Sequence, residues 1–164
     1  MQVRVATLED GEAIRAIYNH EVTNALTTLD LRPRSRAEQL AWMSARTGAH
    51  VVLVATAPAP CGEVVGFASL SPYRDRPGYS PTVEDSIYVR GDQQGKGVGR
   101  VLLGELISVA RTSGFHSMMA RIVGPGDASV ALHRALGFEP VGVEREVGRK
   151  FGRWLDVLLM QRLL

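Results

Sequence analysis

The sequence predicts an α/β fold of the α+β type, built on a mixed, mostly antiparallel sheet flanked by helices. Three observations carry this. The apolar-alternating run Val83 to Val89 passes through Gln94-Gly95-Lys96-Gly97-Val98-Gly99-Arg100 into the helical run Val98 to Ala110, giving strand, glycine turn and helix. Two pairs of short strand-like runs, Val51–Ala55 with Val64–Leu70 and Phe138–Val147 with Trp154–Leu163, form hairpins. Repeats, low-complexity segments and linkers are lacking, so residues 1–164 are expected to form a single domain.

The elements follow in order. Gln2 to Ala6 alternates and is rich in valine, which predicts a first strand. Thr7 and Asp10 resemble a capping box, and Ile14, Ile17, Tyr18 and Val22 keep helical spacing to about Thr23. Ser35 with Glu38 opens a second helix carrying Leu40, Trp42 and Met43, and Gly48 ends it. Val51 to Ala55 is a buried strand, broken by Pro58-Ala59-Pro60-Cys61-Gly62 before Val64 to Leu70. Ser71 to Pro81 is irregular, with three prolines, and long irregular loops in compact domains are often functional. On the strand Val83–Val89, the pleat turns Val83, Asp85, Ile87 and Val89 one way and Glu84, Ser86 and Tyr88 the other. The next helix is expected to bury Val98, Val101, Leu102, Leu106 and Val109, and it stops at Gly114. A strand from His116 to Val123, a turn at Gly124–Asp127, a short helix from Ala128 to Leu136 and the closing hairpin around the turn Gly148–Gly152 complete the chain.

Composition narrows the function class. The chain is 45% hydrophobic and 22% charged with a formal charge of +2, too weak a field to argue for nucleic acid or a membrane surface. No apolar run approaches the roughly 20 residues of a membrane span, and the first residues lack a signal-peptide block. One cysteine, Cys61, excludes an internal disulfide and a cysteine-cluster metal site, and His20, His50 and His116 lack ligand spacing, so no metal is expected. A cytoplasmic address follows as the default.

The glycine turn is a pocket for anions. N–H groups at a helix start lack partners, the helix dipole adds positive potential, and glycines let the backbone approach a phosphate. Two phosphate motifs fail here. A P-loop has four residues between its first glycine and Gly-Lys, followed by Ser or Thr, whereas three separate Gly91 from Gly95 and Gly97 follows Lys96. A dinucleotide fingerprint has a third glycine where Leu102 stands. Taken alone, the turn is compatible with a plain strand-to-helix connection.

The pattern Gln94-x-x-Gly97-x-Gly99, between a strand and a long helix, resembles the acyl-CoA pyrophosphate loop of the GNAT acetyltransferases. The order of elements and the ending Ala135-Leu136-Gly137-Phe138 are similar to that superfamily too. Four further stretches resemble its phosphinothricin N-acetyltransferase family: Ile17–His20, Glu84–Val89, Ser129–His133 and Gly152–Val157. The resemblance implies acetyl-CoA as co-substrate and a small acceptor such as phosphinothricin, methionine sulfoximine or methionine sulfone, acetylated on its α-amino group. It also implies a homodimer.

Acetyl transfer to an amine requires a held thioester, a neutral amine and a proton or hydrogen bond for the departing thiolate. The resemblance places the family's catalytic glutamate at Glu84, where a raised pKa would suit a general base; the spacing alone is equally compatible with a solvent-facing strand-end carboxylate. It places at His133 a group that hydrogen-bonds the sulfur or carbonyl, with a structurally paired histidine as the plain alternative. It further implies that the backbone of Ile87, Tyr88 and Val89 pairs with pantetheine, that Gln94, Gly95, Lys96, Gly97, Val98, Gly99 and Arg100 take the pyrophosphate, and that Ser129 touches the CoA arm. Gly126 departs from the family's usual asparagine and puts that one contact in doubt. An amino-acid acceptor needs a cation for its carboxylate, which Arg74 or Arg76 in the irregular loop could supply, unless both are solvated surface groups. Leu29, Tyr73 and Tyr79 could line the side-chain pocket, with Asp30 and Lys150 at its rim. Two other readings stay open: an acetyltransferase for a polyamine, an antibiotic or a protein N-terminus, and a CoA-binding sensor without turnover.

Overall fold

The computed structural model describes residues 1–124 and 126–164. One seven-stranded sheet has the order β1-β2-β3-β4-β5-β7-β6. The strands are β1 (Gln2–Val5), β2 (Val52–Thr56), β3 (Val64–Pro72), β4 (Thr82–Val89), β5 (Ser117–Val123), β6 (Glu139–Lys150) and β7 (Arg153–Leu163). The helices are α1 (Gly11–Asn24), α2 (Arg36–Ser44), α3 (Val98–Thr112) and α4 (Asp127–Ala135). Every neighbouring pair is antiparallel except β4–β5, so the sheet is mixed as expected.

Two apolar layers sandwich the sheet. On one face, Leu53, Ala55, Ala68, Leu70, Val83, Met118 and Ala120 pack against the α3 residues Leu102, Leu103 and Leu106. On the other, Val52, Val54 and Phe67 pack against Ile14, Ile17, Tyr18 and Val22 of α1 and Met43 of α2. The alternation of β4 is the one read from sequence: Val83 joins the α3 face, whereas Tyr88 stacks on Phe67 toward α1.

Local signals held where side chain and backbone close a ring. Ser35 accepts from the Glu38 N–H at 3.2 Å, and the Glu38 carboxylate accepts from the Ser35 N–H at 2.7 Å. The Thr7–Asp10 pair opens a short 3-10 turn, Leu8–Asp10, before α1 begins at Gly11. Two expectations need correction. Val101 is 45% exposed, and the buried stripe of α3 runs instead through Leu103, Ile107 and Ala110 as well as Val98, Leu102 and Leu106. The stripe is wide because α3 packs on β2, β3 and β4 together. The closing turn is also shorter than Gly148–Gly152. β6 continues through register shifts to Lys150, and Phe151 and Gly152 alone make the turn, with φ of 50° and 72°. Positive φ at both central residues matches the twist of the flanking strands.

Candidate active site

β4 is paired with β3 along its length, from Gly66 opposite Val89 to Pro72 opposite Val83. On its other side it meets β5 only where Thr82, Val83 and Glu84 pair with Ser117, Met118 and Met119. Past Glu84 the strands part, and among the described residues the edge of Asp85–Val89 that faces β5 has no strand partner. A cavity of about 280 Å³ opens in this gap. Its walls are Glu84–Tyr88 of β4, Ala120–Val123 of β5, Thr27, Thr28 and Leu29 after α1, Gly126, Ser129 and His133 around α4, and Val157 of β7.

Glu84 stands where the strands begin to part. Burial pushes its carboxyl above the usual carboxylate range; Arg121 and Arg74 pull it down, and Asp85 and Glu144 add to the rise. A carboxylate of this kind accepts a proton nearer neutrality than an exposed one.

His133 is 3% exposed and both of its ring nitrogens are engaged. Nδ1 donates to the Ser129 carbonyl at 2.7 Å, and Nε2 lies 3.0 Å from Asp85 Oδ2. Burial disfavours the charged ring, yet the Asp85 carboxylate and the Ser129 carbonyl outweigh it and raise its pKa. Asp85 Oδ1 is buried and has no hydrogen-bond partner among the described residues. The sulfur-facing donor expected at His133 is therefore already bonded across the core to β4, and Asp85 faces it from the side of the pleat opposite Glu84.

The glycine turn has the geometry of an anion cradle. Gly95 and Gly97 have φ of 74° and 83°, and Gly97 caps α3. These are left-handed values that other residues adopt at a cost of about 1–2 kcal/mol. The N–H groups of Val98, Gly99 and Arg100 are the first of α3 and lack intrahelical acceptors. Lys96 and Arg100 are exposed beside them, while the Val98 side chain is core. The Gln94 side chain donates to the Val89 carbonyl at 3.2 Å, tying the turn to the end of β4. Ile87, Tyr88 and Val89 offer backbone to the gap; the Tyr88 ring is held between Tyr18 and Phe67. Gly126 fills a tight spot, since a Cβ there would sit 2.4 Å from Ile122 Cγ2. An asparagine at that place would require Ile122 to move.

The remaining sequence-predicted residues divide. Leu29 lines the cavity. Tyr73, Arg74, Arg76 and Tyr79 are not in its lining; Arg74 lies over the Tyr73 ring at 4.9 Å, and Tyr73 packs edge-on against Tyr79. Asp30 and Lys150 brace the cavity wall from behind. Asp30 accepts from Tyr18 Oη, and Lys150, 2% exposed, donates to the Thr28 carbonyl at 2.9 Å.

Sequence reasoning missed Thr27, Thr28, Arg121, Glu144 and the Asp85–His133 pair. Arg121 had a readable signal: it is the one charge in Met118-Met119-Ala120-Arg121-Ile122-Val123, an otherwise apolar strand. So had Asp85, an acid on the same face as Val83 and Ile87. Glu144 had none, because its distance from β5 depends on the register of the β6–β7 hairpin.

The chain is similar to proteins of known family. The acetyltransferase (GNAT) domain family matches residues 3–159. The chain is 46% identical over 160 residues to an L-methionine sulfoximine/L-methionine sulfone acetyltransferase of Pseudomonas paraeruginosa, covering 97% of this chain and 92% of the relative. A GNAT superfamily phosphinothricin acetyltransferase from Sinorhizobium meliloti, solved in complex with AcCoA, superposes with a TM-score of 0.95 at 41% identity, over 99% of this chain and 88% of that one. A ribosomal-protein-alanine N-acetyltransferase from Brucella melitensis superposes with a TM-score of 0.96 at 41% identity, over 100% of both chains. The family match thus spans the sheet from β1 into β7, and the chain belongs to the GNAT acetyltransferases.

Proposed function

We propose that the protein transfers an acetyl group from acetyl-CoA to the α-amino group of a small amino acid analogue of the phosphinothricin, methionine sulfoximine or methionine sulfone type. The observation that carries this is a half-buried carboxylate, Glu84, with a raised pKa, on the wall of a cavity between the parted strands β4 and β5. The names of the similar enzymes support the acceptor class.

Acetyl-CoA supplies an activated acyl carbon when bound. In this proposal the turn Gln94–Arg100 takes the pyrophosphate through its N–H groups, and the free edge of Ile87–Val89 pairs with the pantetheine amides. Ser129, on the cavity wall, meets the CoA arm. Glu84 receives the proton of the acceptor ammonium, directly or through one water, so that the amine is neutral when it attacks. His133 serves as a positioning residue: with both nitrogens bonded, it fixes α4 against β4 and holds Ser129 in place. Acetyl-CoA offered with methionine sulfone, methionine sulfoximine, phosphinothricin and a polyamine is expected to release thiol with the first three and not the last. Thiol release with the polyamine alone would overturn the acceptor class.

The wall at Leu29 gives a local test of the acceptor side. A Cβ on Gly148 would lie 2.6 Å from Leu29 Cδ2, so Gly148→Ala displaces the end of a side chain that lines the cavity. Steady-state kinetics are expected to show a several-fold change in the KM for the amine and an unchanged KM for acetyl-CoA.

We also propose a homodimer formed through the closing hairpin, in a single-domain, cytoplasmic protein. Val141, Val143, Val147, Phe151 and Trp154 are each more than half exposed on β6, the turn and β7, and a second copy packed on the hairpin would remove apolar area of these side chains from water. Light scattering is expected to give twice the chain mass for the wild type and a monomer for a Phe151→Glu, Trp154→Glu double variant. Among the described residues no helix is long and apolar enough to cross a membrane, and Cys61 is a free, exposed thiol.

A further inference from the structure

We propose that Arg121 binds the carboxylate of the acceptor amino acid, and that the acceptor takes this place from Glu144. The inference rests on the amino-acid acceptor proposed above. It moves the carboxylate site from the irregular loop, where the sequence suggested Arg74 or Arg76, to the wall of the cavity itself.

The placement follows from the sheet. Met119 is the β5 residue opposite Glu84, the last pair before the strands part. Arg121 is two residues further, so alternation returns its side chain to the face that carries Glu84. Both residues line the same cavity. An α-amino acid carries its ammonium and its carboxylate on one carbon. A base on β4 and a cation on β5, side by side across the mouth of the splay, address the two groups together. Arg74 and Arg76 are exposed and outside the lining, and Arg74, which also lowers the Glu84 pKa, does so less than Arg121.

The state of Arg121 in the structure fits an exchangeable site. Its side chain is 30% exposed, and its Nη2 donates to Glu144 Oε2 at 2.7 Å. Among the described residues this is the one hydrogen bond of a group with five donors. Glu144 is itself 29% exposed and reaches Arg121 from β6, diagonally across β7. An internal carboxylate thus occupies the guanidinium from one side. A planar fork suited to two parallel N–H···O bonds is held by one acceptor oxygen, so a substrate carboxylate that engages the fork bidentately gains a bond that Glu144 does not make. Arg121 also acts on the base, because its charge is the largest influence that lowers the Glu84 pKa against burial. The same guanidinium would therefore orient the acceptor and keep Glu84 ionised.

The test compares L-methionine sulfone with its carboxamide, which keeps the amine and the side chain but lacks the anion. In the wild type the acid is expected to be the better substrate. Arg121→Leu is expected to raise the KM for the acid roughly 10- to 100-fold while changing that of the carboxamide little, so that the preference collapses. Glu144→Gln leaves Arg121 in place and removes its internal competitor; the KM for the acid is expected to fall. The acid limb of the kcat/KM profile is expected to move to higher pH in Arg121→Leu, a readout that a loss of packing alone does not produce. Wild-type turnover of methionine sulfone carries the acceptor class by itself, so equal losses for acid and carboxamide in Arg121→Leu would overturn the Arg121 assignment alone. A wild type that prefers the carboxamide would likewise overturn the carboxylate site, and a wild type that does not turn over methionine sulfone would overturn the acceptor class.

Discussion

Glu84→Gln is expected to lower kcat/KM for the amine by about 10²–10⁴-fold near neutral pH, the range for loss of a positioned general base. The substitution keeps the shape of the side chain and removes its ability to take a proton, so the KM for acetyl-CoA should hold. The pH profile separates this from a simple packing defect. The base works only when ionised, and burial raises the pKa at which Glu84 ionises. Wild-type kcat/KM should therefore fall as pH drops through a value above the ordinary carboxylate range. In Glu84→Gln that limb disappears, leaving only the titration of the amine itself. An unaltered turnover at neutral pH in the variant would remove Glu84 from the chemistry.

The second large effect concerns stability. His133→Leu leaves Asp85 buried, with one oxygen newly orphaned beside another that already lacks a partner. Removing one member of a buried pair costs about 3–5 kcal/mol, and chemical denaturation should show a loss of that order. The pH dependence has a definite sign. The folded protein holds the His133 proton more tightly than the unfolded chain, because the Asp85 carboxylate and Ser129 carbonyl outweigh burial. The pair's contribution is thus complete below the unfolded histidine pKa of about 6.5 and is lost as pH rises through the folded value. The wild type should lose stability over that interval, and His133→Leu should lack the loss. A variant as stable as the wild type would show that the pair contributes nothing.

What could be read from the sequence was whatever depends on neighbours along the chain. The strand, glycine turn and helix around Gly97, the capping box at Ser35 and the pleat that separates Glu84 from Asp85 are all set within a few residues. Their physics is local, so periodicity and spacing reveal them. The wall between β4 and β5 is different. Arg121 and Glu144 are 23 positions apart and meet through the register of three strands, and His133 and Asp85 are 48 apart. Spacing also misled where exposure depends on what packs overhead, as at Val101, whose helical phase looked inward. Arg74 and Arg76 suit a carboxylate by their chemistry, but the tertiary fold leaves both out of the cavity lining, with Arg74 still near enough to lower the Glu84 pKa.

The bond from Lys150 to the Thr28 carbonyl has a consequence for the order in which the molecule is completed. The two residues are 122 positions apart, whereas β3, β4, the glycine turn and α3 lie together within residues 64–112. A nascent chain can assemble this segment from contiguous contacts of low closure entropy. The wall carrying Thr27 and Leu29 has to wait until the far end of β6 arrives. On a ribosome, the edge of β4 and the glycine turn would be formed while that wall of the cavity was still open.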